Sequence, residues 1–179
     1  MTDPELSRLA ADINSRCRLS GSFTLRSGQI ATEYFDKYLF EADPALLHAV
    51  AVRMQALLPA GADLLGGLEL GGVPIATILS QLTGLPALFV RKQAKAYGTC
   101  KLAEGDDPAR KHVVLIEDVI TTGGAVLAAA SALRDLGAEV GTVICAIDRR
   151  PATGASALSD AGIAVRSVLT RELLDSVAT

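Results

Sequence analysis

The spacing of apolar residues predicts two helices in the first part of the chain. The apolar positions of the first segment recur at helical intervals: Leu6, Leu9, Ile13 and Cys17. They predict an amphipathic helix over residues 4–18. Asp43 followed by Pro44 is typical of a helix start, a capping carboxylate before a proline at the first helical position, and predicts a second helix ending near Pro59. Between the two, residues 20–40 contain strand-like pieces broken by glycines, which we interpret as a two-part strand layer.

From residue 62 onward, short apolar runs alternate with helical segments. The runs predict strands at residues 62–67, 87–92, 112–119, 141–148 and 162–169. Helices are predicted between them at residues 73–84 and 125–137. Nearly all-apolar strands that alternate with helices are typical of a parallel sheet covered by helices on both faces, so the predicted fold class is α/β. In such sheets ligands bind at the carboxyl ends of the strands, and the functional residues are expected there.

Composition and charge exclude several classes of protein. The 179 residues are 50% hydrophobic and 21% charged, which indicates a globular core rather than a disordered chain. Lysine and arginine number 17 against 20 aspartates and glutamates, and this acidic balance argues against a nucleic-acid partner. No apolar run approaches the ~20 residues of a membrane span, and the first residues lack a signal-peptide core. We therefore expect a cytoplasmic protein without a membrane partner.

The segment from residue 117 to residue 125, EDVITTGGA, has the features of a sugar-phosphate site. Its two glycines allow close backbone approach, its threonines offer hydroxyl donors, and the N-terminus of the next helix presents free N–H groups to a phosphate. Neither a Walker A nor a GxGxxG pattern is present, which argues against a nucleoside triphosphate or dinucleotide. Glu117 and Asp118 would repel phosphate, but they can accept hydrogen bonds from ribose hydroxyls or lie near a magnesium ion. A helix cap with an accidental acidic pair is the alternative interpretation.

This segment resembles a known motif. VVLIEDVITTGG resembles the phosphoribosyl-pyrophosphate (PRPP) signature of type I phosphoribosyltransferases, and residues 23–36, 89–98 and 146–150 resemble orotate phosphoribosyltransferases within that superfamily. The resemblance implies the type I phosphoribosyltransferase fold in a single domain, residues 1–179, in which residues 1–40 contribute a hood over the base. It also implies transfer from PRPP to orotate in pyrimidine biosynthesis, Mg²⁺ as the cofactor, and a homodimer.

The resemblance assigns roles to individual residues. It implies PRPP binding by Arg91, Lys92, Lys95, Tyr97, Glu117, Asp118, Val119, Ile120, Thr121, Thr122, Gly123, Gly124 and Ala125. It implies orotate binding by Thr121, Arg149, Arg26 and Phe35, and catalysis by Lys92, Lys95 and Asp118. The chain departs from the family pattern at Tyr97, where many members have histidine, and at Arg26, where many have lysine. Residues 66–72 correspond to the family's pyrophosphate loop and lack the lysine that some members carry there.

The basic segment after the strand at residues 87–92 has the character of a lid. Arg91, Lys92 and Lys95 precede the 16 residues 96–111, which show no clear periodic pattern, and such stretches within compact domains are often lids. A solvated charged loop is the alternative. In the family the matching loop closes over PRPP and reaches the neighbouring subunit, so the resemblance implies that Lys92 acts in the other protomer.

Two other functions remain open at this point. The same class of enzyme could use a purine or uracil as the acceptor, because the PRPP motif does not specify the base. A PRPP-sensing regulator could keep the binding site after losing catalysis, although the acidic charge balance offers no nucleic-acid surface for such a protein.

Overall fold

Helices and strands alternate along most of the chain. The computed structural model describes residues 3–24, 27–93, 102–151 and 156–177. The helices there are α1 (Pro4–Cys17), α2 (Tyr38–Glu41), α3 (Pro44–Gln55), α4 (Gly72–Thr83), α5 (Gly124–Asp135), α6 (Ala157–Asp160) and α7 (Arg171–Ser176). The strands are β1 (Arg18–Thr24), β2 (Ile30–Phe35), β3 (Leu64–Leu68), β4 (Ala87–Val90), β5 (Ala103–Glu104), β6 (His112–Ile120), β7 (Glu139–Asp148) and β8 (Ala164–Thr170).

A six-stranded sheet forms the centre of the fold, in the order β5-β4-β3-β6-β7-β8. All neighbouring pairs are parallel except β4 and β5, which are antiparallel. The predicted parallel sheet is therefore confirmed. Strand β6 lies between β3 and β7, so the residues at its carboxyl end lie in the middle of one edge of the sheet.

The sheet separates two apolar clusters, as the all-apolar strands predict. Val114 and Ile116 of β6 belong to the cluster that includes side chains of α1, α3 and α4. Val113 and Leu115 belong to the cluster that includes side chains of α5 and α6. Because successive residues of a strand face opposite sides, burial of both sets requires helices on both faces. None of the helices within the described residues is long and apolar enough to cross a bilayer.

Helices α1 and α3 begin at Pro4 and Pro44, as predicted, and each follows a capping aspartate. The side chain of Asp3 accepts a hydrogen bond from the Glu5 amide, and the side chain of Asp43 accepts from the amide of Ala45. The predicted end near Pro59 is wrong, because the α-helix ends at Gln55. Apolar spacing continues beyond that residue, and partial burial of the next leucines accounts for the misplaced boundary.

The stretch from residue 20 to residue 40 is only partly a strand layer. Strands β1 and β2 form the two parts of the predicted layer and pair antiparallel. The prediction is wrong beyond Phe35, because Tyr38–Glu41 form the single turn of α2. The Asp36 side chain accepts a hydrogen bond from the Tyr38 amide at 3.1 Å, and Phe40 is fully buried. A capped turn that buries one aromatic residue is too short to show helical periodicity.

Candidate active site

The predicted phosphate segment joins β6 to α5. Gly123, the residue before α5, has φ +82°, and a Cβ there would lie 2.8 Å from Leu158 Cδ1, so both conformation and space favour glycine. The Arg149 amide donates to the Ile120 carbonyl at 2.8 Å and holds the end of β6 against the end of β7. A small hollow of about 60 Å³ is lined by Glu117, Val119, Ile120, Thr121, Thr122, Gly123, Gly124, Ala125 and Val126. The structure thus places the predicted phosphate-binding residues around one hollow.

Asp118 is a fully buried carboxylate with a cation beside it. Its Oδ1 accepts a hydrogen bond from the Val119 amide at 2.5 Å. Its Oδ2 lies 2.5 Å from the Nζ of Lys37, whose side chain is 31% exposed. Lys37 lies between β2 and α2, so the residue that pairs with the acidic segment comes from the N-terminal part of the chain.

Two further carboxyl groups, those of Glu41 and Glu117, lie beside this ion pair. We call the four residues Lys37, Glu41, Glu117 and Asp118 the acidic cluster, and Gly71 lies against it. Glu41 of α2 is buried, and a Cβ on Gly71 would lie 2.6 Å from its Oε1 and would collide with the Asp118 carboxylate. A Cβ on Gly72 would collide with the Ile116 carbonyl oxygen. Only glycine fits at residue 71 beside the acidic cluster and at residue 72 beside the Ile116 carbonyl, which accounts for the last two glycines of residues 66–72.

The acidic cluster holds carboxyl groups in different protonation states. Burial raises the pKa of Glu41 to about 8, with further contributions from the hydrogen bond and the charge of Asp118. Burial and then the charge of Asp118 raise the pKa of Glu117 to about 9. For Asp118, burial alone would raise the pKa, but the hydrogen bonds from Glu41 and Lys37 outweigh it and leave the pKa below its ordinary value.

These shifts change the electrostatic character of the site. Near neutral pH, Asp118 is ionised while Glu41 and Glu117 carry protons. Burial would lower the pKa of Lys37, but the hydrogen bond to Asp118 raises it, so Lys37 stays charged. The charges of Lys37 and Asp118 then cancel. The repulsion of phosphate expected from two ionised carboxylates is therefore much weaker, and Glu117 can donate as well as accept a hydrogen bond.

The basic segment begins at the end of β4. The Arg91 amide donates to the Leu102 carbonyl at 2.9 Å, and the Lys92 amide donates to Glu69 Oε2 at 2.9 Å. The Nε of Arg91 is buried without a hydrogen-bond partner among the described residues. Arg91, Lys92 and Glu69 line a cavity of about 230 Å³ together with Ala125 at the start of α5. The predicted residues Lys95, Tyr97 and Arg26 lie outside the described residues.

A second cavity lies between the two-stranded sheet and the carboxyl ends of the strands. Its volume is about 410 Å³, and it is lined by Arg18, Ala31, Glu33, Tyr34, Phe35, Arg149, Arg171 and Asp175. The guanidinium carbon of Arg149 lies 5.4 Å from the centre of the Phe35 ring, so two predicted orotate-binding residues meet. Within the described ranges, no carboxylate lies within ion-pair distance of Arg149. Burial, and next the charge of Arg171, lower the pKa of Arg149.

Comparison with known proteins identifies the family. The profile of the phosphoribosyl transferase domain matches residues 48–161. An orotate phosphoribosyltransferase of Nocardioides sp. (strain ATCC BAA-499 / JS614) is 70% identical over 168 residues, which cover 94% of this chain and 93% of that protein. The chain belongs to the orotate phosphoribosyltransferase family. Membership makes it an enzyme, a phosphoribosyltransferase of the pentosyltransferase class, and confirms the resemblance seen in its motifs.

Solved structures of the orotate phosphoribosyltransferase family share the fold. The crystal structure of Mycobacterium tuberculosis H37Rv orotate phosphoribosyltransferase in complex with Fe(III) dicitrate has a TM-score of 0.84 and 34% identity and covers 96% of this chain and 99% of that chain. A complex of the same protein with PRPP has a TM-score of 0.79 and 31% identity over 96% of this chain and 99% of that chain. The predicted type I phosphoribosyltransferase fold is thereby confirmed.

Sequence reasoning missed Lys37 and Glu41. The resembling stretch ends at Asp36, and neither residue stood out in the predicted strand layer. One signal was present, since Lys37 and Glu41 are four residues apart on either side of the apolar residues 38–40. That spacing places two side chains on the same side of a helical turn, whereas in a strand it carried no meaning.

We predict that Glu41→Gln weakens the pH dependence of stability. With a folded pKa of about 8 against an ordinary value of 4.5, Glu41 binds its proton more tightly in the folded state. The wild-type protein therefore loses stability as pH rises from 4.5 towards 8, whereas the amide does not titrate. In thermal unfolding, the Tm of the variant relative to that of the wild type should rise as pH increases from 4.5 to 8.

Glu172→Gln, which removes an exposed carboxylate of α7, is the matched control, and its Tm relative to the wild type should not rise over this pH range. A difference between Glu41→Gln and wild type that stays constant from pH 4.5 to 8 would contradict a protonated Glu41.

Proposed function

We propose that this enzyme transfers ribose 5-phosphate from PRPP to orotate, giving orotidine 5′-phosphate and pyrophosphate in the biosynthesis of UMP. The observation that carries the proposal is the end of β6, where the acidic pair, the phosphate hollow and Arg149 lie next to one another. The names of the family relatives support the same reaction.

PRPP is proposed to bind along the edge of the sheet. The amides and hydroxyls of residues 121–125 hold the 5′-phosphate at the N-terminus of α5. Glu117 and Asp118 bind the ribose hydroxyls, and the protonation difference between them supplies one donor and one strong acceptor. Arg91 and Lys92 hold the pyrophosphate beside the cavity that they line.

The reaction needs no covalent nucleophile. Orotate N1 attacks ribose C1 while the C–O bond to pyrophosphate breaks, through an oxocarbenium-like transition state. Ionised Asp118 lies near the developing positive charge, and Lys92 and Lys95 neutralise the charge that grows on the pyrophosphate. Tyr97 can donate a hydrogen bond to a phosphate oxygen but carries no positive charge at neutral pH. The basic segment, which in the family closes over PRPP, excludes water that would hydrolyse PRPP.

Mg²⁺ is the proposed cofactor. The described residues contain no group of three or more carboxylates, histidines or cysteines arranged to hold a metal. The residues fit an ion that arrives with its substrate, since Mg²⁺ is usually bound by substrate phosphates, waters and few protein oxygens. The ion would be held mainly by the phosphates of PRPP and would supply Lewis-acid stabilisation of the leaving group.

Three further expectations from the sequence stay proposals. The chain is a single domain in which residues 1–40 cover the base, and the cavity between β2 and Arg149 supports this. The enzyme is a homodimer in which Lys92 acts in the neighbouring protomer, as the family resemblance implies. It works in the cytoplasm on PRPP and orotate, and no nucleic acid or membrane takes part.

One observation favours orotate over uracil or a purine. Orotate carries a carboxylate, and the half-buried Arg149 has no carboxylate partner among the described residues while it lies over the Phe35 ring. A guanidinium fork binds a carboxylate through two hydrogen bonds, and an aromatic ring packs against a flat base. A neutral base offers the Arg149 guanidinium no carboxylate to bind. A PRPP-sensing regulator would not need this pocket.

We predict that the enzyme releases pyrophosphate from Mg·PRPP only with orotate. Each base (orotate, uracil, adenine, guanine and hypoxanthine) is supplied in turn, and pyrophosphate release is followed. Faster release with uracil or a purine would contradict the proposed substrate. A protein that binds PRPP and releases no pyrophosphate with any base would be a regulator.

We also predict that Arg149→Ala raises the KM for orotate by about tenfold or more, because a bidentate charged contact is lost. The KM for PRPP should change little. The KM of Arg149→Lys for orotate should lie between those of Arg149→Ala and the wild type, since lysine keeps the charge but not the two-pronged guanidinium contact. Steady-state kinetics with each substrate varied in turn measures the two KM values. Equal increases in the two KM values would show that Arg149 does not bind the base.

A further inference from the structure

Lys37 links two parts of the site that are far apart in sequence. Its ammonium group lies 2.5 Å from Asp118 Oδ2 at the end of the central strand β6. Two residues earlier, Phe35 lines the cavity of Arg149. Phe35 at the end of β2 therefore lines this cavity, and two residues later Lys37, in the connection to α2, contacts the Asp118 carboxylate.

Residues 66–72, which pass beside Asp118 at Gly71, offer no side chain that could replace the Lys37 ammonium. Residues 66–72 contain no lysine or arginine. Gly71 passes so close to Asp118 and Glu41 that any Cβ would collide with both carboxyl groups. The cation that pairs with the buried Asp118 carboxylate therefore comes from a different segment, the connection between β2 and α2, where Lys37 lies.

We propose that Lys37 is a positioning residue for phosphoribosyl transfer, holding the buried Asp118 carboxylate ionised and in one orientation at the end of β6. This inference rests on the proposed function. The Val119 amide holds Oδ1 and the Lys37 ammonium holds Oδ2, so the carboxylate has one fixed orientation before substrate binds.

Loss of the ammonium group would change Asp118 in two ways. A fully buried carboxylate without a cation takes up a proton or seeks another partner, because burial disfavours the ionised form. Protonated Asp118 would accept ribose hydrogen bonds poorly and would no longer stabilise positive charge at C1. Both effects weaken the interaction with PRPP and with the transition state, while the contact between Arg149 and Phe35 is left in place.

The test compares Lys37→Met with Lys37→Arg and with a matched control. Lys111→Met removes another lysine whose Nζ lies 2.6 Å from a carboxylate, that of Asp106, in a partly exposed pair outside the site. For Lys37→Met we expect kcat/KM for PRPP to fall by about tenfold or more, because a charge-assisted hydrogen bond is lost. The KM for orotate should change much less. Lys37→Arg should restore most of the loss, and Lys111→Met should match wild type.

A double-mutant cycle keeps the proposal testable if Lys37→Met alone fails to fold. The double variant Lys37→Met/Asp118→Asn leaves no unpaired buried charge, and Asp118→Asn leaves only the partly exposed Lys37 ammonium without its carboxylate. If Lys37 acts through Asp118, the two variants should have the same kcat/KM for PRPP. A further drop in the double variant would overturn the proposal, as would single-variant kinetics that match wild type. Absence of pyrophosphate release by the wild-type enzyme would instead overturn the proposed function.

Discussion

A buried negative charge at the end of the central strand organises this site. Asp118 has no contact with water, so its ionised form depends on the Lys37 ammonium and on hydrogen bonds from Glu41 and the Val119 amide. These partners come from the β2–α2 connection, from α2 and from β6 itself. Gly71 closes the remaining side, because only a residue without a Cβ fits there. The position of one carboxylate thus constrains three separate segments of the chain.

The same constraint explains how an acidic segment can lie beside a phosphate site. Two of the three carboxyl groups hold protons near neutral pH, and the third is balanced by Lys37. The acidic cluster therefore carries little net charge near neutral pH, as the proposed 5′-phosphate site beside it requires. In the proposed mechanism the acidic pair acts as one donor and one acceptor rather than as two equal carboxylates.

The parts of the fold that could be predicted from sequence depend on local or repetitive patterns. Strands β6 and β7 are almost entirely apolar, so the parallel sheet and its two covered faces follow from the sequence. The segment from Glu117 to Ala125 is contiguous, and the structure places it around the predicted phosphate hollow. Arg149 and Phe35 were matched through the family resemblance, and the structure brings them together.

The missed features depend on contacts between distant segments. Lys37 and Glu41 reach Asp118 across about 80 residues of sequence, and no periodic pattern reports such a contact. Helix α2 is one turn long and falls below the length at which apolar spacing distinguishes helix from strand. The protonation states also required the structure, because they depend on burial and on distances between side chains.

Titration of the wild-type enzyme with Mg·PRPP by isothermal calorimetry, paired with thermal unfolding at saturating ligand, tests the central claim most directly. If ribose binds against Asp118 while its 5′-phosphate binds at the start of α5, the titration should show heat of binding. Unfolding should shift upward by the equivalent of about 2.7 kcal/mol at roughly 100 times the Kd. Neither heat nor protection from unfolding would contradict the account.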